Sequence, residues 1–72
     1  MSIKVNLDMV MLKNNISLKD LSNKINITNS NLSILKTGKA KAIRFSTLND
    51  LCRVLNCQPG DILEYIDDED KS

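Results

Sequence analysis

The chain has 72 residues, of which 42% are hydrophobic and 3% aromatic, so it has the size of one small domain with an aliphatic core. This apolar share is too high for a disordered chain, and no apolar run is long enough for a membrane span or a signal peptide. The sequence has no His, and its two cysteines, Cys52 and Cys57, lack the further ligands of a zinc site. We therefore expect a cytoplasmic protein with reduced thiols and without a metal or cofactor.

The net charge of +1 hides an uneven distribution along the chain. Residues 1–60 carry nine Lys and Arg against three Asp, a balance of +6, whereas residues 61–72 carry one Lys against six acids, a balance of −5. Five cations and no acid lie between Asp20 and Asp50. A polyanion would meet this basic middle segment, although charge alone favours a solvated basic loop equally well.

The first part of the chain has the hydrophobic period of two short helices. The first begins after Asn6, a good N-cap, and repeats apolar residues over positions 7–11. The second begins at Ser17, because Ser17-Leu18-Lys19-Asp20 has the spacing of a capping box. Its inward face is predicted to consist of Leu18, Leu21, Ser22 and Ile25. Asn26 then tolerates the left-handed conformation that a tight turn needs.

Two further helices are predicted in the middle of the chain. The third covers residues 29–37 behind the N-cap Thr28 and ends before Gly38, a residue favoured just past a helix C-terminus. The fourth is capped by Ser46 or Thr47, and Phe45 is interpreted as a side chain that plugs the core. Its apolar stripe is the clearest in the chain and comprises Leu48, Leu51, Cys52 and Leu55.

The C-terminal part is predicted to contain a short fifth helix that starts at Pro59. Residues 3–5 alternate like a strand, and residues 65–66 are a candidate partner, although the sequence leaves open whether they form a strand or a helix end. We therefore predict an all-α domain of five helices over residues 1–66, with short terminal strands left open. An acidic, flexible tail is expected at residues 67–72.

The second and third helices are separated by a turn of three residues. Ser22 is small where the second helix must approach the third, and Leu32 and Leu35 fix the third helix against it. This spacing is that of a helix-turn-helix unit, in which the third helix is held out from the body of the domain. Its exposed face is then free to enter a DNA major groove, which is about 12 Å wide.

Three sequence blocks follow one another in the order of a known family: residues 27–48, Leu51-Cys52 and residues 57–63. With these blocks, residues 6–66 resemble the lambda-repressor-like (Cro-like, Xre) helix-turn-helix regulators, above all the small single-domain Xre regulators of Gram-positive bacteria and their mobile elements. The resemblance implies a compact lambda-repressor-like domain that binds double-stranded DNA sequence-specifically and regulates transcription.

The chain departs from the family pattern at three positions. The family usually has Ala at the position of Ser22 and Gly at that of Asn26. Both departures are physically mild, because Ser is small and Asn tolerates the left-handed turn. The family often has Gln at the position of Leu18, where a polar group contacts DNA, so that contact is in doubt here.

The resemblance assigns base contacts to the outer face of the third helix. Helix geometry agrees, because positions 29, 30, 33 and 34 lie opposite Leu32 and Leu35. Asn pairs with adenine through two hydrogen bonds, and an apolar group fits a thymine methyl. Residues 28–35 contain no Arg or Lys, the usual readers of guanine, so we predict an operator rich in A·T pairs. The expected base-contacting residues are Thr28, Asn29, Ser30, Ser33 and Ile34.

The resemblance also implies contacts with the DNA backbone on either side of this face. Ser17 lies at the start of the second helix, where backbone N–H groups meet a phosphate, and the other contacts follow the third helix. The expected residues are Ser17, Thr37, Lys39, Lys41 and Arg44. The alternative is that the cations only keep this loop soluble.

One helix-turn-helix reads only a few base pairs, so we expect a homodimer with its two recognition helices about 34 Å apart. Residues 3–5 are a candidate to pair with the second chain across the dimer interface. The simplest mechanism is repression by occupying a promoter. The alternative is activation of transcription through a contact with RNA polymerase. The candidate interface comprises the exposed members among Val54, Ile62, Tyr65 and Ile66, and the alternative is that these residues close the core of each monomer.

Two other classes of function are alternatives to a DNA-binding regulator. A protein-interaction module, antitoxin-like or adaptor-like, can be built on the same fold, but it would not need the cations of residues 36–44. An enzyme would need a nucleophile with a base, or acids gathered in a cleft. This chain has no His, and its acids gather in the tail, so we predict that it is not an enzyme.

Overall fold

Five helices and two strands follow one another in the computed structural model, which describes residues 2–67. All five predicted helices are confirmed. The predicted tail lies outside the described residues, except for Asp67. No helix within residues 2–67 is long and apolar enough to cross a membrane. The elements are β1 (Ser2–Val5), α1 (Leu7–Lys13), α2 (Leu18–Ile25), α3 (Asn29–Lys36), α4 (Phe45–Leu55), α5 (Pro59–Ile62) and β2 (Leu63–Ile66).

Local hydrogen bonds set the ends of the helices. The Ser17 hydroxyl oxygen accepts from the Asp20 N–H at 3.1 Å and caps α2, as the sequence predicts. Three asparagines take the left-handed conformation after a helix: Asn15 (φ 52°), Asn26 (φ 55°) and Asn56 (φ 51°). Asn is one of the few residues that adopts this conformation at low strain, so each of these connections needs only three or four residues.

Aliphatic side chains from every helix form one core. This agrees with the near absence of aromatic residues in the sequence. Cys52 and Cys57 are half-buried beside the core, and burial, together with the neighbouring Cys52 thiol, raises the pKa of the Cys57 thiol. The core residues are Leu7, Val10, Met11, Leu21, Ile25, Leu32, Leu35, Leu48, Leu51, Leu55 and Ile62.

The terminal segments pair as strands, which answers the question that the sequence left open. β1 runs antiparallel to β2, with Ser2 opposite Ile66 and Val5 opposite Leu63. β1 uses one edge for this pairing, and its other edge has no partner strand within residues 2–67. The predicted pairing of residues 3–5 across a dimer therefore stays a prediction. Ile62 is only 1% exposed and closes the core, so it does not belong to an exposed interface.

Three local predictions are wrong. Asn6 lies at the N-cap position of α1, but its side chain makes no capping hydrogen bond, and its Nδ2 instead donates to Glu64 Oε1 at 3.0 Å. α4 begins at Phe45 behind the N-cap Arg44, two or three residues earlier than a cap at Ser46 or Thr47 requires. Phe45 does not plug the core, since its side chain is 89% exposed. It is the first residue of α4 and lies three residues before Leu48, the first buried side chain of that helix.

The exposure of Phe45 gives a direct test of this arrangement. Phe45→Ala is expected to change the free energy of unfolding by less than about 0.5 kcal/mol, because few contacts are lost. Leu51→Ala changes a fully buried position on the same helix, and it is expected to lower the free energy of unfolding by about 2–5 kcal/mol. Urea denaturation followed by circular dichroism measures both. Equal losses for the two variants would contradict the exposed position of Phe45.

Candidate nucleic-acid interface

The turn between α2 and α3 holds the two helices in close contact. Leu21 and Ile25 of α2 share the core with Leu32 and Leu35 of α3, as the helix-turn-helix spacing predicts. Ser22 is 7% exposed and is the one polar side chain classed as buried within residues 2–67. A small residue at this point lets the two helices approach, and the opposite side of α3 is left facing solvent.

The outer side of α3 presents the predicted base-contacting residues together. Asn29 and Ser30 are exposed, Ile34 is 44% exposed, and Ser33 is half-buried. Thr28 lies just before the helix, and its hydroxyl oxygen accepts from the Asn31 N–H at 3.1 Å. The Thr28 hydroxyl oxygen therefore caps α3 as an acceptor, and its proton and the methyl group remain for a contact with a base.

Asn29 has a partner that the sequence did not indicate. Ser22 Oγ lies 2.6 Å from Asn29 Oδ1 and 2.8 Å from the Lys19 carbonyl oxygen. Ser22 is on α2 and Asn29 is the first residue of α3, so this contact crosses the turn of the helix-turn-helix. The one sign of this contact in the sequence is that a polar residue, Ser22, lies on the predicted inward face of α2.

The C-terminus of α3 is tied down by its own hydrogen bonds. The helix ends at Lys36, one residue earlier than predicted, and Thr37 is its C-cap. The Thr37 hydroxyl shares its proton between the carbonyl oxygens of Ser33 (3.0 Å) and Ile34 (3.2 Å). Gly38 follows with φ 78°, as expected just past a helix end. Because the Thr37 proton is already donated, this hydroxyl must rotate before it can donate to a phosphate.

The predicted cations follow α3 along one side. Lys39, Lys41 and Arg44 are all exposed, and the Lys39 N–H donates to the Ile34 carbonyl at 3.0 Å. Lys41 and Arg44 border an open depression that Asn31 and Ile34 of α3 also line. The structure thus places positive charge beside the outer face of α3, in a segment of sequence that contains no acid.

The start of α2 offers backbone groups rather than a polar side chain. Ser17 is exposed and caps the helix, while Leu18 is half-buried and packs against the core. The first N–H groups of a helix have no partner within the helix, and they carry partial positive charge. Ser17 and the N–H groups after it are therefore suited to an anion, whereas the Leu18 side chain is not.

A model of the Cro/C1-type HTH DNA-binding domain matches residues 6–68 of this sequence. The chain belongs to this family. It is therefore a helix-turn-helix DNA-binding protein of a class of transcriptional regulators, and that class is not one of enzymes. The resemblance inferred from residues 27–48, Leu51-Cys52 and residues 57–63 is confirmed.

Two known proteins show how far the similarity extends. The uncharacterised HTH-type transcriptional regulator YozG of Bacillus subtilis (strain 168) is 57% identical over 70 residues, which cover 97% of this chain and 83% of YozG. In a solved structure of the SinR protein/SinI protein complex, the matching chain has a TM-score of 0.74. The match covers 90% of this chain and 67% of that one at 19% identity, so it shows the fold alone.

The cap at Thr28 holds the N-terminus of α3 in place. Thr28→Ala is expected to lower the free energy of unfolding by about 1 kcal/mol, because the Asn31 N–H loses its partner. Thr28→Ser retains the hydroxyl and serves as the matched control, with a smaller loss. Urea denaturation of the three proteins gives the comparison, and equal stability of the Ala variant and the parent would contradict the cap.

Proposed function

We propose that this protein is a dimeric transcriptional repressor that inserts α3 into the major groove of an operator rich in A·T pairs. The observation that carries the proposal is the composition of the exposed side of α3. Short polar and aliphatic side chains occupy its first two turns, whereas the exposed cations lie at its last residue, Lys36, and in the following loop. Uncharged groups can read base edges while the neighbouring cations bind phosphates.

The proposed base contacts follow from the chemistry of these side chains. Asn29 carries a donor and an acceptor, the pair that adenine complements in the major groove, and Ser30 and Ser33 can donate or accept. Ile34 and the Thr28 methyl group are suited to the methyl group of thymine. Arg and Lys, which pair with guanine, are absent from residues 28–35. This set favours A·T pairs at the contacted positions.

The proposed backbone contacts lie on both sides of this face. Lys39, Lys41 and Arg44 are exposed after α3, and Ser17 starts α2 with its unpaired backbone N–H groups. Thr37 joins them if its hydroxyl turns from the Ser33 and Ile34 carbonyls toward a phosphate. Neutralised phosphates release counterions, so these residues are expected to supply much of the affinity and its dependence on salt.

A dimer is proposed because a chain of this size has only one recognition helix. A single α3 covers only a few base pairs, and two copies about 34 Å apart cover consecutive major grooves. The proposed interface retains Val54, Tyr65, Ile66 and the segment of residues 3–5, and it leaves out the buried Ile62. Ile3 and Tyr65 lie opposite each other in the sheet and are 60% and 57% exposed, so they form one apolar patch on the surface.

The proposed domain covers residues 1–66, and the proposed tail covers residues 67–72, of which only Asp67 is described. A regulator of this class acts where the chromosome is, so we place the protein in the cytoplasm. Repression needs no part beyond this domain, because a bound dimer excludes polymerase from the same DNA.

The proposal is tested by fluorescence-anisotropy titration of DNA from upstream of the protein's own gene, together with site selection from random duplexes. At near-physiological salt and with excess unrelated duplex, saturable binding by two chains per site is expected. The selected half-sites are expected to be dominated by A·T pairs at the contacted positions. Binding that the competitor removes, with no selected sequence, would reject this function and favour the protein-interaction module. Half-sites dominated by G·C pairs would reject the proposed base contacts.

A charge-matched pair of variants tests the backbone contacts. Lys41→Ala is expected to reduce the slope of log K against log salt by about 1.8, because each bound dimer loses two phosphate contacts, one from each chain. Lys13→Ala removes the same charge from α1, where Lys13 borders a separate depression with Asp61 and Glu64, and is expected to leave the slope unchanged. Anisotropy titrations at several salt concentrations supply both slopes. Equal slopes for Lys41→Ala and the parent would show that Lys41 only keeps the loop soluble.

A further inference from the structure

Ser22 lies between two groups that both compete for its hydroxyl proton. Its Oγ is 2.8 Å from the Lys19 carbonyl oxygen and 2.6 Å from Asn29 Oδ1, both within hydrogen-bond distance. A hydroxyl has one proton to donate, whereas a carbonyl oxygen and an amide oxygen only accept. Because Ser22 is 7% exposed, an unshielded contact between two oxygens at this point would be unfavourable.

In the orientation that the structure shows, one Ser22 proton serves two acceptors, whereas a rotated Asn29 carboxamide gives each of the two contacts its own proton. A Ser within a helix commonly donates to the backbone carbonyl three or four residues before it, and the Lys19 carbonyl is in that position. The Asn29 carboxamide must then donate to Ser22 Oγ. A rotation of the carboxamide by 180° brings Nδ2 to the place of Oδ1, and this rotation changes only which of two atoms of similar size faces Ser22.

We propose that Ser22 is a positioning residue that fixes the carboxamide of Asn29 for reading adenine. In this arrangement one Nδ2 proton is donated to Ser22, and the second Nδ2 proton and Oδ1 both face away from α2. These two groups complement N7 and the N6 amino group of adenine. The inference rests on the proposed insertion of α3 into the major groove and names the residue that makes one of its contacts selective.

Fixing Asn29 in advance affects affinity as well as selectivity. Asn29 is exposed at the first position of α3, so without a partner its side chain would sample several orientations in the free protein. Ordering such a side chain on binding loses conformational entropy and weakens association. A side chain that is already ordered in the free protein avoids this loss. Ser22 contributes without reaching the DNA, since it is buried between α2 and α3.

Ser22→Ala tests this role, because Ala fits the same small space and removes only the hydroxyl. On an operator selected by the parent protein, the variant is expected to bind about three- to tenfold more weakly. Its preference for adenine is expected to relax at one base pair in each half-site. Affinity for unrelated duplex and the slope against salt should not change, since the cations are untouched. Urea denaturation verifies that the variant is folded.

A double-mutant comparison separates positioning from a structural role. In the Asn29→Ala background, Ser22→Ala is expected to have no further effect on operator affinity. The same loss in both backgrounds, or an unchanged base preference in Ser22→Ala alone, would overturn the inference.

NMR of the free protein tests the contact without DNA. The two Asn29 Nδ2 protons are expected to differ in exchange with water, with the slower one close to Ser22, and Ser22→Ala should make both fast. Two equally fast protons in the parent would overturn the positioning role. Failure of the parent to select any operator would instead reject the proposed function, so the two failures are distinguishable.

Discussion

The contact of α3 with α2 through two leucines is the constraint on which the rest of the site depends. An isolated helix of eight residues is not stable in water, so α3 forms only because Leu32 and Leu35 are buried against the core. Once these two positions face inward, the period of the helix determines which side chains face solvent. The same packing thus stabilises the helix and selects its outer face, and the outer residues remain free to serve recognition.

The turn chemistry explains how so short a chain brings the parts together. Asn26 takes the left-handed conformation directly after α2, and Thr28 already caps α3 two residues later. A longer connection would let the angle between the helices vary, and the position of Asn29 relative to Ser22 would vary with it. The close approach of α2 and α3 is therefore a condition for the side-chain contact that crosses the turn.

Much of the fold could be predicted from the sequence, because helix period, capping residues and left-handed asparagines act over only a few residues. The errors occur where distant parts of the chain decide the outcome. Asn6 bonds to Glu64, 58 residues away, rather than capping α1, and no local pattern indicates that partner. Phe45 is apolar and precedes an amphipathic stripe, yet its exposure depends on where the core ends. The outer face of α3 was predictable from period, whereas the Ser22–Asn29 contact required the angle between two helices.

In the proposed interface, affinity and selectivity are assigned to different physical terms. The cations of the loop after α3 act over a distance and on every phosphate alike, so they strengthen binding without distinguishing sequences. The uncharged face of α3 acts only at contact distance, and its selectivity depends on how firmly each polar group is held. A buried hydroxyl that orients Asn29 adds to the second term and leaves the first unchanged. It follows that changes in α2, far from any base, can alter which sequence is preferred while general DNA affinity stays the same.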